Sequence, residues 1–247
     1  MLHHSTQTKA ATTHSSLVER AVRLKVARLS GPMNNPKVIL AVGFAIGLVS
    51  LAGCAGKTRY PSSYVLNLPA PVAPSVPPAP ILGTAAVREF RAPGFLTSGP
   101  IVYRPSREQV GFYNYDHWVE DPRRVVTAAM IRELRARGIF QSVEPFDGHG
   151  SPAYLISGTL DHLEEIDDGA SVSIEVGLSA SVLNATTGEV LWRGASSQTA
   201  KVALHSVPGV VAEMSRDLSI AVEQLVSAMQ TRISAASPVA SYSGVDQ

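Results

Sequence analysis

From Ser171 to Leu183 the chain alternates residue by residue. Val172, Ile174, Val176, Leu178, Ala180 and Val182 fall on one side, and Ser171, Ser173, Glu175, Gly177, Ser179 and Ser181 on the other. Successive side chains of a strand point to opposite faces, so this segment is predicted to be a strand with one face on a core and the other toward water. Asn184–Gly188 turns it into a strand over Glu189–Thr199, and the acidic stretch Glu164–Gly169 is expected to be the turn from a preceding strand, Ala153–Leu163. A three-stranded antiparallel meander results.

The remaining punctuation adds strands at Ala86–Phe90, Ile101–Arg104, Gln109–Tyr115 and Ser142–Phe146. Asp121-Pro122 and Arg137-Gly138 bracket a helix: Asp caps free N–H groups, Pro suits the first helical position and Gly supplies a left-handed end. Its apolar face is Val125, Val126, Ala129, Met130 and Leu134. A second helix spans about 208–234, with Val211, Met214, Leu218, Ala221, Leu225 and Ala228 as its stripe. Two helices on one face of a mainly antiparallel sheet make an α+β domain over residues 85–235. Residues 236–247 form a polar tail. Tyr64–Leu68 is a short strand candidate inside residues 54–84, followed by a proline-rich stretch from Pro69 to Pro80; it either joins the sheet or belongs to an extended tether.

The N-terminal part has a different character. Residues 1–54 carry a net charge of +5 and the remainder −4, so the folded region is not basic and nucleic acid is excluded as a partner. Residues 38–51 are apolar and uncharged behind Lys37, a length suited to a signal-peptide core and short of the ~20 residues that span a bilayer. Leu51-Ala52-Gly53-Cys54 closes that run and resembles the bacterial lipobox, in which the cysteine becomes the acylated first residue of the mature protein. Cys54 is the single cysteine of the chain, so it makes no internal disulfide. Residues 1–53 are thus read as an N-terminal extension and lipoprotein signal peptide, with Met1 and Met33 both open as starts. Ala55 after the cysteine favours the outer membrane, by the sorting rule that the lipoprotein resemblance implies.

No constellation for turnover chemistry stands out. His149 and Ser151 sit together in a Gly-rich loop, which reads as a turn before it reads as a hydrolase pair, and the acids from Asp161 to Asp168 lack calcium-loop spacing. No metal site or cofactor is expected. Tyr103, Phe112, Tyr113, Tyr115 and Trp118, in contrast, concentrate a scarce aromatic supply, since aromatics are 6% of the chain. Phe112 points opposite to Tyr113 and Tyr115 in an alternating strand, so these rings cannot all enter one core. Core packing and a contact surface for a partner or lipid both remain open for Tyr113, Tyr115 and Trp118. Arg124, Arg132 and Arg135 share the exposed side of the first helix, either as a solvated face or as a contact for anionic headgroups.

Cys54, Tyr64-Val-Leu66, Ala92-Pro93-Gly-Phe95-Leu96, Ile101-Val102-Tyr103-Arg104, Phe112-Tyr113-Asn-Tyr115-Asp-His-Trp118 and Asp121-Pro122 occur in the order seen in the ABC-type transport auxiliary lipoproteins, which include the paraquat-inducible protein C group. The sequence resembles that family over most of 54–234. The resemblance implies a non-enzymatic, lipid-anchored protein of the outer membrane, facing the periplasm. Its partners would be an inner-membrane ABC transporter (permease and ATPase) and an MCE-domain protein, with phospholipid contact. The chain would act as a docking or receiving subunit of intermembrane lipid transport. A structural lipoprotein that assists assembly of another envelope complex is the competing reading, and a hydrolase using Ser151 and His149 is a third.

Overall fold

A computed structural model describes residues 60–72, 80, 82–203 and 206–236. The signal-like segment, Cys54, most of the proline stretch and the tail lie outside the described residues. The strands are β1 (Ser62–Tyr64), β2 (Leu82–Val87), β3 (Pro100–Arg104), β4 (Gly111–Trp118), β5 (Phe140–Pro145), β6 (Tyr154–Asp167), β7 (Val172–Asn184) and β8 (Val190–Lys201). The helices are α1 (Pro122–Arg137) and α2 (Val207–Ala236).

The long strand β6 organises the sheet. β7 pairs with it antiparallel from Tyr154↔Asn184 to Asp167↔Val172, and β8 pairs antiparallel with β7. The expected meander is therefore present. Along its other edge β6 holds two parallel strands in succession: β2 at Leu155 and Ile156, then β3 at Glu165 and Ile166. β5 adds parallel to β2, β4 antiparallel to β3, and β1 parallel to β4. The sheet is thus mixed, with its longest ladders antiparallel, and the class is α+β.

Four local expectations need correction. The strand expected at Ala86–Phe90 is β2, Leu82–Val87, which ends before Phe90. The acidic stretch is not the turn: β6 runs on through Glu164 and Glu165, both fully buried, and the chain reverses only at Asp168–Ser171. There the Asp168 carboxylate accepts from the N–H groups of Ala170 and Ser171, which hold its pKa below the ordinary carboxylate value. The first strand lies at Ser62–Tyr64 rather than Tyr64–Leu68, and it does pair with the sheet. In α2, Ala228 is exposed and Met229 buried. The sequence stripe steps at 3.5 residues, and a straight helix of 3.6 drifts off it within two heptads, so the next residue turns inward.

Other features agree with the sequence. The Asp121 side chain accepts from Arg123 N–H at 2.9 Å, Pro122 opens α1, and Gly138 closes it at φ 64°. The Arg123 guanidinium, hydrogen bonded to the Asp121 carboxylate, depresses that carboxyl's pKa. Ile174, Val176, Leu178, Ala180 and Val182 are all buried and join Met214, Leu218, Leu225, Met130 and Leu134 in one core. Thr127 ties α1 to the chain after β2, accepting from Phe90 N–H at 2.9 Å and donating to Arg123 C=O at 2.7 Å.

Candidate docking surface

β3, β4 and β1 form an arm at the end of β6, and only Tyr103↔Glu165 and Arg104↔Ile166 join it to that strand. Each face of this short seam carries a polar clamp. On the core face Tyr103 and Tyr113 pack with ring centroids 5.2 Å apart, and the Tyr113 hydroxyl donates to the buried Glu165 carboxylate at 2.8 Å. Burial first, then the Glu165 carboxylate, push the Tyr113 pKa far above the ordinary phenol value. A side chain at position 111 would collide with the Tyr103 ring, so Gly111 makes room for this stack. On the opposite face Arg104 donates through Nε to the fully buried Glu164, and His162 Nδ1 lies 2.9 Å from the same carboxylate. The Arg104 guanidinium also sits 5.4 Å from the Phe95 ring centroid.

Tyr113 is therefore half-buried and occupied in holding the arm together. Tyr115, 43% exposed, and Phe112, 40% exposed, present their rings outward, while Trp118 packs partly against the core and pairs with Tyr64 in the β1–β4 ladder. The large apolar side chains exposed among the described residues are seven: Tyr60, Val65, Val72, Phe112, Tyr115, Val119 and Val190. Five of them, all but Val72 and Val190, lie on β1, β4 or the residues flanking them. Val119 N–H donates to Tyr64 C=O, which fixes the two flanks side by side.

The arginines of α1 separate by role. Arg124 is highly exposed and 3.9 Å from Glu89. Arg135 donates to the Val143 carbonyl and to Glu144, each at 2.7 Å, so it staples α1 to β5. Arg132 lines a hollow of about 240 Å³ beneath Pro69–Val72, next to Glu133, Arg137 and Glu223. There the chain beyond β1 crosses the helices: Leu66 is buried in the core and Asn67 N–H donates to Ser215 Oγ at 3.1 Å. An apolar groove of about 610 Å³ opens beside it, between Val65, Pro69, Pro208, Val211 and Ile220.

His149 and Ser151 lie in an exposed loop, and among the described residues no hydrogen bond links their side chains. The His149 ring instead lies 3.8 Å from Asp147. Sequence reasoning missed Arg104, His162, Glu164 and Glu165 as a group. A signal existed in Tyr103-Arg104, a base and a phenol side by side in a strand, facing the acid pair Glu164-Glu165.

With this geometry in hand, the comparison with known proteins is specific. The family model for the ABC-type transport auxiliary lipoprotein component matches residues 64–229, and the chain belongs to that family. Membership carries association with an ABC transport system and the membrane anchoring of a lipoprotein; it is not a known enzyme family. No curated protein matches the sequence. Among solved structures, a Xanthomonas campestris protein of the DUF330 family superposes with a TM-score of 0.60 at 16% identity, covering 71% of this chain and 99% of that one. A second, uncharacterised protein gives 0.54 at 13% identity, covering 69% and 99%. At such identities these neighbours establish the fold.

Proposed function

We propose that the chain is a non-enzymatic outer-membrane lipoprotein, anchored through an acylated Cys54, that serves an MCE-type intermembrane lipid transport system as a docking or receiving subunit. It docks its periplasmic partner, or the lipid that partner delivers, through the β1–β4 edge. The observation that carries this reading is the concentration of exposed apolar side chains along that edge, with Tyr115 on one face of β4 and Phe112 on the other. Aromatic residues offer apolar area while their polar atoms stay satisfied, which is why they anchor interfaces. In the sequence six links separate Cys54 from Tyr60, so the connection can extend at most ~20 Å. Tyrosine and tryptophan suit such a boundary between protein, lipid headgroups and water.

Two variants test the two halves of the reading. Cys54→Ser is expected to move the protein out of the membrane fraction or leave an uncleaved precursor, because two or more acyl chains supply stable anchoring. An unmodified Cys54 in the mature wild type, seen by mass spectrometry, refutes the anchor. Tyr115→Ala is expected to weaken capture of the MCE-domain partner by ~1 to 3 kcal/mol, the scale of an interface anchor, while the melting temperature stays near that of wild type. Full capture by the folded variant moves the docking surface elsewhere.

A further inference from the structure

On the sheet face turned away from the helices, two adjacent rungs bring together hydroxyls and arginines. The register aligns Ser157, Ser181 and Arg193 across β6, β7 and β8. In the next rung an isolated bridge sets Arg91 beside Thr159, which pairs with Ser179. Paired residues of a sheet share a face, and positions two apart on a strand share it too. The four hydroxyls therefore point the same way, opposite to the buried Ala180 and Leu178. With Gly158 and Ala180 between them, they line a concavity of about 280 Å³.

The lining holds two cations and no carboxylate. Both guanidiniums belong to exposed residues, and neither makes an ion pair or side-chain hydrogen bond among the described residues. Arg104, Arg123, Arg135 and Arg137, in contrast, are each matched to an acid. The backbone of Arg91 is held on both sides, its N–H donating to Gly158 C=O at 2.9 Å and its C=O accepting from Leu160 N–H at 2.8 Å. Beneath it Phe90 fills the space that a side chain at Gly158 would occupy. The nearest acid along β6 is Asp161, at the bulge beyond Thr159 and outside the lining.

We infer that this concavity binds a phosphate-type oxyanion, with Arg91 and Arg193 gripping it from either side and Ser157, Thr159, Ser179 and Ser181 donating from the floor. Planar guanidinium forks match the oxygens of a phosphoryl group, and hydroxyls that rotate to donate complete its coordination without adding negative charge. A site on paired strands is also preorganised, which lowers the ordering cost of binding. The same chemistry is offered by a phosphodiester lipid headgroup and by free phosphate. This inference goes beyond the docking role and stands without it.

The full-length protein is titrated calorimetrically with inorganic phosphate and, separately, with glycerophosphoglycerol, a soluble diester headgroup. Amide shifts are followed at the four hydroxyl residues. Saturable binding with shifts centred there is expected. It should weaken by about tenfold or more in Arg91→Gln/Arg193→Gln, since each fork contributes charge-assisted hydrogen bonds. Arg193→Lys should fall in between, because it keeps the charge and loses the fork. Arg232→Gln, which removes one positive charge from the exposed side of α2, should bind as wild type. Tighter binding of the diester assigns the site to a headgroup, and tighter binding of inorganic phosphate assigns it to the free ion. Binding of neither ligand, or equal binding by a folded double variant, overturns the proposal.

Discussion

Val176→Asp is expected to abolish the cooperative melting transition altogether. Val176 is wholly excluded from solvent, paired with Leu163 on β6 and with Gln198 on β8, and it lies in the core shared with Met214 and Leu218. An unpaired carboxylate there loses its hydration and gains no partner. That cost is several kcal/mol, and the lost packing adds to it, against a typical total stability of ~5 to 15 kcal/mol. Ser173→Asp is the matching control, since Ser173 lies on the other face of the same strand beside Lys201. Circular dichroism on heating should show a wild-type-like transition for Ser173→Asp and none for Val176→Asp. A native melting temperature in Val176→Asp would mean that this strand turns its other face inward.

That test works because β7 was legible residue by residue. Its alternation is a local property, and burial of one face is enough to fix it. The α1 caps were legible for the same reason, since Asp121, Pro122 and Gly138 act within one turn of the chain. The strands β3 and β4 of the arm were legible at Ile101–Arg104 and Gln109–Tyr115, but their place in the sheet was not. Of the arm's strands only β3 meets β6, in parallel and across 60 residues, as Arg104 and Glu164 show, and no short-range pattern encodes such a register. Polarity misled as well: Glu164-Glu165 beside Asp167-Asp168 reads as a solvated turn, yet both glutamates are buried because Arg104, His162 and Tyr113 supply their partners. Of the site residues, Tyr115 kept the exposure that an interface needs, whereas Tyr113 and Arg135 are largely spoken for by Glu165, Val143 and Glu144. Arg91 and Arg193 gave no signal, because they become neighbours only through the pairing of three strands.

The arm also sets the second large effect. Arg104→Met should destabilise the protein by about 3 to 5 kcal/mol, because it strands a buried carboxylate. Glu164 has 0% of its side chain exposed, whereas Arg104 keeps 20% and reaches solvent, so the cost falls on the acid. His162 remains 2.9 Å from Glu164, but its ring is 43% exposed and does not replace the guanidinium in the seam. Adding Glu164→Leu should therefore recover much of the loss, since removing both charges leaves no buried charge stranded and the His162 ring, which loses Glu164, reaches solvent, and urea unfolding of the double-mutant cycle reads that coupling directly. The consequence reaches function, because β3 touches β6 at only two register positions and carries β4 and β1 with it. With the Arg104 clamp gone, the seam keeps its short backbone pairing and the Tyr113–Glu165 hydrogen bond. Arg104→Met should then weaken capture of the partner as Tyr115→Ala does, though through loosening of the edge rather than loss of a contact. Restored capture in the Arg104→Met/Glu164→Leu protein is the expected signature of that mechanism. A loss below about 1 kcal/mol in Arg104→Met would place this pair with ordinary surface salt bridges, and the arm would have to be held by its backbone and Tyr113 alone.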